Sequence, residues 1–312
     1  MNAMVLTMAT AAAVASGTPL VLAALGGLLG ERSGVVNIGI EGMMLIGAVA
    51  AFLTAQATES IPLALLAGLL AGAALALVHS FLSVTMRANQ IVAGLAIVIF
   101  GSGIATFFGK SVEGQAIAVR ISPYKVPVLA DIPVVGRILF QQDAMVYASW
   151  ILVVLVALYF RYTRAGLAMR SVGESPATAD VMGIRVAAVQ YCHTVAGGAL
   201  IGLAGAYLVL ARVPNWSQAG TTSGLGWIAV ALVVFSSWQP LRVVAGAYLF
   251  GLALRANFTL QAAGIGSVPA EVLSMLPYLL TIAVLILLSF FDRQNRLGAP
   301  AALGKPYFRN ER

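Results

Sequence analysis

The sequence predicts an all-α bundle that crosses a membrane about nine times, within a range of eight to ten. Three observations lead there. Apolar residues make up 60% of the 312-residue chain and charged residues only 9%, against about 25% charged in an ordinary soluble domain. Mean hydropathy is +0.95, so the apolar surface exceeds what one soluble core of this size could hide. The apolar residues also gather into runs of about 20, the length a helix needs to cross a hydrocarbon core of about 30 Å, without the ten-residue alternation of barrel strands.

The runs fall at about 4–30, 35–58, 60–85, 90–109, 144–160, 187–211, 221–238, 241–260 and 273–291. Glu31 and Arg32 only briefly separate the first two. No Lys or Arg precedes the first run, which passes any small-residue cleavage site and continues to Leu29, so it reads as a retained span and not a cleaved signal. Residues 1–291 thus form one membrane domain, with 292–312 as a tail. Two connections are long: 110–143, which holds Pro123, Pro127 and Pro133, and 161–186. A shorter one, 262–272, carries Gly264, Gly266 and Pro269.

Basic residues orient the bundle. Alternating nine spans back from the C-terminus puts twelve of the 18 Lys and Arg on one side: Arg32, Arg87, Arg161, Arg164, Arg170, Arg185, Arg242, Arg293, Arg296, Lys305, Arg309 and Arg312. The richer side faces the cytoplasm. The loop 161–186 and the tail are then cytoplasmic, the loop 110–143 is periplasmic, and the N-terminus is outside. A multi-pass protein of the bacterial inner membrane fits this pattern. The net charge of +7 is spread between apolar spans, which suits anionic lipid and not nucleic acid.

Composition removes several functions. One cysteine, Cys192, and two histidines, His79 and His193, cannot build a disulfide scaffold, a zinc site or an iron–sulfur cluster. Cys192 and His193 are adjacent and so point apart on a helix. His79 reads as a satisfied polar group near the inner end of its span. Gly109-Lys110-Ser111 imitates a phosphate-binding loop, but that motif needs glycine at position 104, which is Ile104. No acid, base and nucleophile converge, so the chain is expected to be no enzyme and to hold no metal or cofactor. Gly68-x-x-x-Gly72 and Gly198-x-x-x-Gly202 permit close helix approach.

The loop 161–186 is the most informative stretch. Ser175 is a good N-cap and Pro176 suits the first helical position, while Gly183 can end the turn in the left-handed conformation. Pro176–Met182 is therefore expected to form about two turns of helix, marginal alone. With Val181, Met182 and Ile184 facing water, it needs a protein partner or the membrane surface.

Inside the spans, Glu41 is a functional candidate because a carboxylate at membrane depth is costly without water or a donor. Asn37, Gly39 and Gly42 interrupt helical packing around it, as in a broken helix beside a pathway. A structural hydrogen bond to Asn89 or Gln90 is the alternative reading. Asn37, Glu41, Gln90 and Trp227 are the candidate pathway residues; Phe100, Phe107 and Phe235 add apolar wall.

The block Thr163-Arg164-x-Gly166-x-x-x-Arg170-x-Val172-Gly173-Glu174-x-Pro176-x-x-Ala179-x-x-x-Gly183-Ile184 resembles the ATPase-contacting loop of ABC-importer permeases of the ribose, branched-chain amino acid and nucleoside type. Three further stretches are similar to the nucleoside branch of that family: Gly30–Leu45, Gly226–Phe235 with Trp238 and Pro240, and Pro300–Tyr307. The chain looks like the shorter of the two permeases in such systems. The resemblance implies a heterodimer with a second homologous permease, a separate ATPase subunit that binds the ATP, and an extracytoplasmic substrate-binding lipoprotein. It makes the helix near 175–183 a coupling helix seated in the ATPase. Arg164, Gly166, Arg170, Gly173, Glu174, Ser175, Pro176, Ala179 and Gly183 are then the coupling residues. The expected function is alternating-access import of nucleosides. A sugar or branched-chain amino acid permease is the nearest alternative. An ion-coupled secondary transporter is the rival from another class, but it would carry several coupled intramembrane acids where only Glu41 lies deep, and it needs no coupling helix.

Overall fold

The computed structural model describes residues 3–213, 215–217, 220–262, 272, 275–292 and 298–308. The loop residues Gly264, Gly266 and Pro269, and the tail residues Arg293, Arg296, Arg309 and Arg312, lie outside them. Helices α1 (Ala3–Arg32), α2 (Ile40–Thr58), α3 (Ile61–Ser80) and α4 (Gln90–Gly109) form the first half. A short α5 (Val135–Leu139) sits in the long loop before α6 (Ala144–Tyr162). Then come α7 (Arg164–Glu174), α8 (Pro176–Val181), α9 (Val186–Tyr207), α10 (Leu225–Phe235), α11 (Pro240–Ala262) and α12 (Leu276–Asp292). The described residues hold no strand beyond one antiparallel bridge, Ala116 to Asn215. The protein is an all-α, multi-pass membrane bundle: six of its helical segments are long and apolar enough to cross a bilayer.

One expected span is different. The run 221–238 yields only the 11 residues of α10, about 16 Å of helix against a core of about 30 Å. The described residues before it, 215–217 and 220–224, are not helical. Among the described residues, eight of the nine apolar runs form long helices and the run 221–238 forms the short α10. Hydropathy alone could not see this, because an apolar run stays apolar whether or not its first part is helical.

Helix α1 is the axis of the bundle. Leu20, Val21, Leu22, Leu25 and Leu28 are fully enclosed, with α9, α10 and α11 around them. By contrast α3, α4 and α6 turn Leu66, Leu70, Ile99, Phe107, Ile151 and Leu155 outward, as lipid-facing or subunit-facing helices do. Lipid gives apolar side chains no reason to leave it, so these helices associate by close backbone packing. A Cβ on Gly202 would lie 2.2 Å from the Gly68 carbonyl, one on Gly72 2.3 Å from that of Gly198, and one on Gly47 2.3 Å from that of Gly202. Both small-residue motifs therefore meet each other, across α3 and α9.

At one end of the bundle lie Arg32, Arg87, Arg164, Arg170, Arg185 and the tail; this is the basic end. The opposite end is closed by the 110–143 loop. Gly114 donates to the Trp216 carbonyl at 2.9 Å and Ile121 to that of Leu210 at 3.0 Å, while Gln142 reaches back to Ala11 at 3.2 Å. Asp143 caps α6 through Met145 and Val146 at 3.0 and 3.1 Å. Its other oxygen accepts from Tyr207 at 2.8 Å and from Arg212.

Gly202→Val forces the α3–α9 seam apart. It is expected to cost about 1–3 kcal/mol, read as a lower apparent melting temperature in detergent. Gly103→Ala, where no atom lies within 4 Å of the new Cβ, is expected to leave that temperature unchanged.

Candidate pathway and coupling sites

Two places in the fold hold most of the candidate residues. The first is the break before α10. Gly42 packs against Ile97 and Gly101, so closely that a Cβ on it would lie 2.5 Å from the Ile97 carbonyl. Those two partners lie halfway along α4. Glu41 is therefore at mid-height in the bundle and only 7% exposed. Its two oxygens are both engaged. Thr222 donates its hydroxyl to Oε1 at 2.5 Å, and Gly226 donates its N–H to Oε2 at 2.7 Å. Gly224, at φ 79°, is the N-cap of α10 and has no side chain to cap with. The carboxylate from α2 does that work from across the interface. Its carboxyl also sits at the positive end of the half-helix dipole. Gly226 has to be glycine here, since a Cβ would lie 2.5 Å from the Glu41 Cα.

The other candidate pathway residues divide. Residues 33–39 run without helix between α1 and α2. Asn37 turns its Oδ1 back to accept from Gly39 at 3.0 Å. Gln90 accepts from Val36 at 2.7 Å, and His79 Nε2 donates to the Val36 carbonyl at 3.0 Å. Asn37, Gln90 and His79 thus gather on one re-entrant strip of chain. Asn89 caps α4 through Ile91 and Val92. Neither Asn89 nor Gln90 is the partner of Glu41. Trp227 stands beside Gly226 and is 43% exposed, whereas the expected wall residues Phe100 and Phe107 lie on the outward face of α4.

The second place is the loop 161–186, which is two helices at the basic end. Ser175 ends α7 and caps α8, accepting from Thr178 at 3.3 Å, with Pro176 at the start. Gly183 has φ 83°. The helix α8 forms as its caps predict, though one residue shorter than 176–182. Sequence reasoning missed α7, capped by Thr163 through Gly166 at 2.9 Å. Its signal was present: Gly166, Met169, Val172 and Gly173 are the buried positions, spaced at three, three and one. Two motif glycines are close-approach residues. A Cβ on Gly166 would lie 2.2 Å from the Tyr159 carbonyl, and one on Gly173 2.2 Å from that of Arg32. Ala179 is buried with Val172 and Val186. Arg164 is exposed and Arg170 half-buried. Glu174 accepts from Ala301 of the tail at 3.3 Å. At the tip, Val181 is 82% exposed and Met182 77%. The two helices of this loop therefore present bare apolar side chains away from the bundle.

Sequence reasoning also missed Glu31 and Trp238. Glu31 is buried at the end of α1, where Trp238 donates its indole N–H at 2.7 Å. Arg32 Nε donates to the Trp238 carbonyl at 3.0 Å. The described residues hold no cluster of three metal-ligating side chains. Cys192 is exposed while His193 is buried between the Val189 carbonyl and Tyr159.

Residues 9–285 match the family described as the permease component of the branched-chain amino acid transport system. The chain belongs to this permease family. It is 36% identical to a guanosine ABC transporter permease, NupQ of Bacillus subtilis, over 99% of this chain and 98% of the relative. It is 35% identical to a nucleoside ABC transporter permease, NupC of Lactococcus lactis, over 94% of each. It is 37% identical to a Haloferax volcanii protein named as a candidate glucose ABC transporter permease, over 96% of each. No solved structure matches it. This permease is a transport subunit of an ABC system, and membership implies ATPase and substrate-binding partners.

Glu41→Leu leaves the Gly226 N–H and the Thr222 hydroxyl of this permease without an acceptor in a dry interior. The expected loss is about 1–3 kcal/mol per group, seen as a lower melting temperature. Glu41→Gln keeps a carbonyl for one of the two donors and is expected to fall between Glu41→Leu and the native protein.

Proposed function

We propose that this permease is one membrane half of an ATP-driven importer of nucleosides. The observation that carries this reading is its similarity, along nearly the whole chain, to permeases named for guanosine and for nucleosides. In this reading it pairs with a second homologous permease in a bacterial inner membrane, receives substrate from an extracytoplasmic binding lipoprotein, and stands on an ATPase subunit that alone binds ATP. The basic end and the C-terminus face the cytoplasm, in keeping with the positive-inside rule.

The parts have distinct work. Helix α8 seats its exposed tip, Val181 and Met182, in the ATPase, with Arg164, Arg170 and Glu174 flanking it. Burying two bare apolar side chains there supplies the hot spot such an interface needs. The backbone break before α10 is tolerated at membrane depth because it is buried or lines a cavity. Trp227 on its first turn offers an aromatic face against which a nucleobase could stack. Translocation is then a change of access with no covalent chemistry.

A sugar is the second reading, favoured by the similarity to the haloarchaeal protein named for glucose. Uptake separates them. Cells lacking only this chain are expected to lose ATP-dependent uptake of uridine, adenosine or guanosine and to keep that of glucose, ribose and leucine. Loss of sugar uptake instead would transfer the proposal to the second reading. Uptake that follows the ion gradient and ignores ATP would overturn both. Val181→Ser with Met182→Ser is expected to cut uptake about tenfold or more, the size of a hot-spot loss, with the amount of chain in the membrane unchanged. Unchanged uptake in that variant would remove α8 from the ATPase interface.

A further inference from the structure

The broken helix α10 is held at both ends by one short stretch of chain. Its first turn is bonded to Glu41 through Gly226 and Thr222. The turn after its last residue is bonded to Glu31 through the Trp238 indole at 2.7 Å, and Arg32 adds the Trp238 carbonyl at 3.0 Å. Glu31 and Glu41 bracket the re-entrant strip between α1 and α2. That strip is in turn fastened to the coupling loop by three routes. The Arg32 carbonyl lies where Gly173 of α7 comes closest. Gln190, at the start of α9, donates to the Ser33 carbonyl at 3.3 Å. The tail bridges the rest: Gly304 donates to the Gly34 carbonyl at 3.2 Å and Ala302 to that of Gly173 at 2.9 Å.

We propose that residues 31–41 are the transmission element of this permease, carrying movement of the α7–α8 loop to the broken helix at mid-membrane. The inference rests on the reading that α8 meets an ATPase. Glu31 and Trp238 are its positioning residues: they touch no substrate and act by making α10 move as one body with the strip. The strip is pinned along its length, with Ser33 and Val35 donating to the Gly30 carbonyl, Val36 to Gln90 and Gly39 to Asn37, and α10 is a short helix, so a displacement at Gly173 or Gly34 is carried to Gly226. Breaking the Glu31–Trp238 bond loosens the foot of α10, which keeps the Arg32 hydrogen bond to the Trp238 carbonyl, and leaves α8 and the Glu41 cap intact. Hydrolysis would then continue without driving the break open. A path of contacts earns this role only if both ends respond to it.

The complex of this chain with its permease, ATPase and binding-protein partners is reconstituted in liposomes. Nucleoside uptake and phosphate release are measured together. Trp238→Phe and Glu31→Leu each remove the bond, and Glu31→Gln keeps a carbonyl to accept it. We expect uptake per ATP hydrolysed to fall about tenfold in the first two, as loss of one buried hydrogen bond allows, and to hold in Glu31→Gln. The double variant is expected to be no worse than either single one, because all three lack the same bond. Parallel loss of uptake and hydrolysis, additive losses in the double variant, or an unchanged ratio would each overturn the proposal. If the native complex shows no ATP-driven nucleoside uptake, the functional reading itself fails, which is a separate result. Should the variants fail to assemble, spin labels on exposed Gln239 and Ala177 in an otherwise native Cys192→Ser chain decide it. Their separation is expected to stay constant between the nucleotide-free and ATP-bound states, while that from Gln239 to Glu113 at the opposite end changes. A changing Gln239–Ala177 separation overturns it.

Discussion

A backbone that stops being helical inside a bilayer must find partners for its amides, and Glu41 is the partner here. Without that carboxylate the break before α10 would leave a bare helix end in a medium with almost no water to solvate it. The rest of the middle of the bundle is arranged to make this one contact possible. Gly42 and Gly101 let α2 approach α4 closely, which sets the height of Glu41. Gly226 then lets the first turn of α10 come down onto the Glu41 backbone. A carboxylate at membrane depth is costly for any protein to keep; two donors and a helix dipole offset that cost.

The remainder of the fold follows from a different scarcity. Lipid supplies no hydrophobic drive for helices to associate, so contact area must come from backbones that nearly touch. Gly26 with Gly197, and Gly68 and Gly72 with Gly198 and Gly202, build that contact around α1 and α9. At the end opposite the α7–α8 loop, polar side chains take over: Asp143, Tyr207 and Arg212 tie the long loop to the second half.

Much of this was legible in the sequence. Hydropathy located every long helix to within a few residues, because length and apolarity are direct consequences of the bilayer. The caps of α8 were readable because Ser175, Pro176 and Gly183 act locally. The partners of Glu41 were not: Thr222 and Gly226 are 181 and 185 residues away, and the expected structural partner was Asn89 or Gln90 on a neighbouring helix. Helix α7 escaped because its polar outer face dilutes the apolar signal, although its buried positions keep helical spacing. Glu31 and Arg32 read only as a brief interruption between two apolar runs, and their bonds to Trp238 depend on a fold that brings the two halves of the chain together.

The burial of α1 bears on how the molecule is made. Helix α1 is enclosed by α9, α10 and α11, all of which are made after it. Until they are made it sits against lipid, a state its mostly apolar surface allows, with the Thr10 and Thr18 hydroxyls bonded back to the carbonyls of Leu6 and Val14. Its later enclosure needs no change of side-chain solvent, only the exchange of lipid for other helices. Glu31 has no such ease, since its indole partner is made some two hundred residues later. The arrival of Trp238 is thus the point at which Glu31 first finds its partner, and α11, made directly after it, then closes over α1.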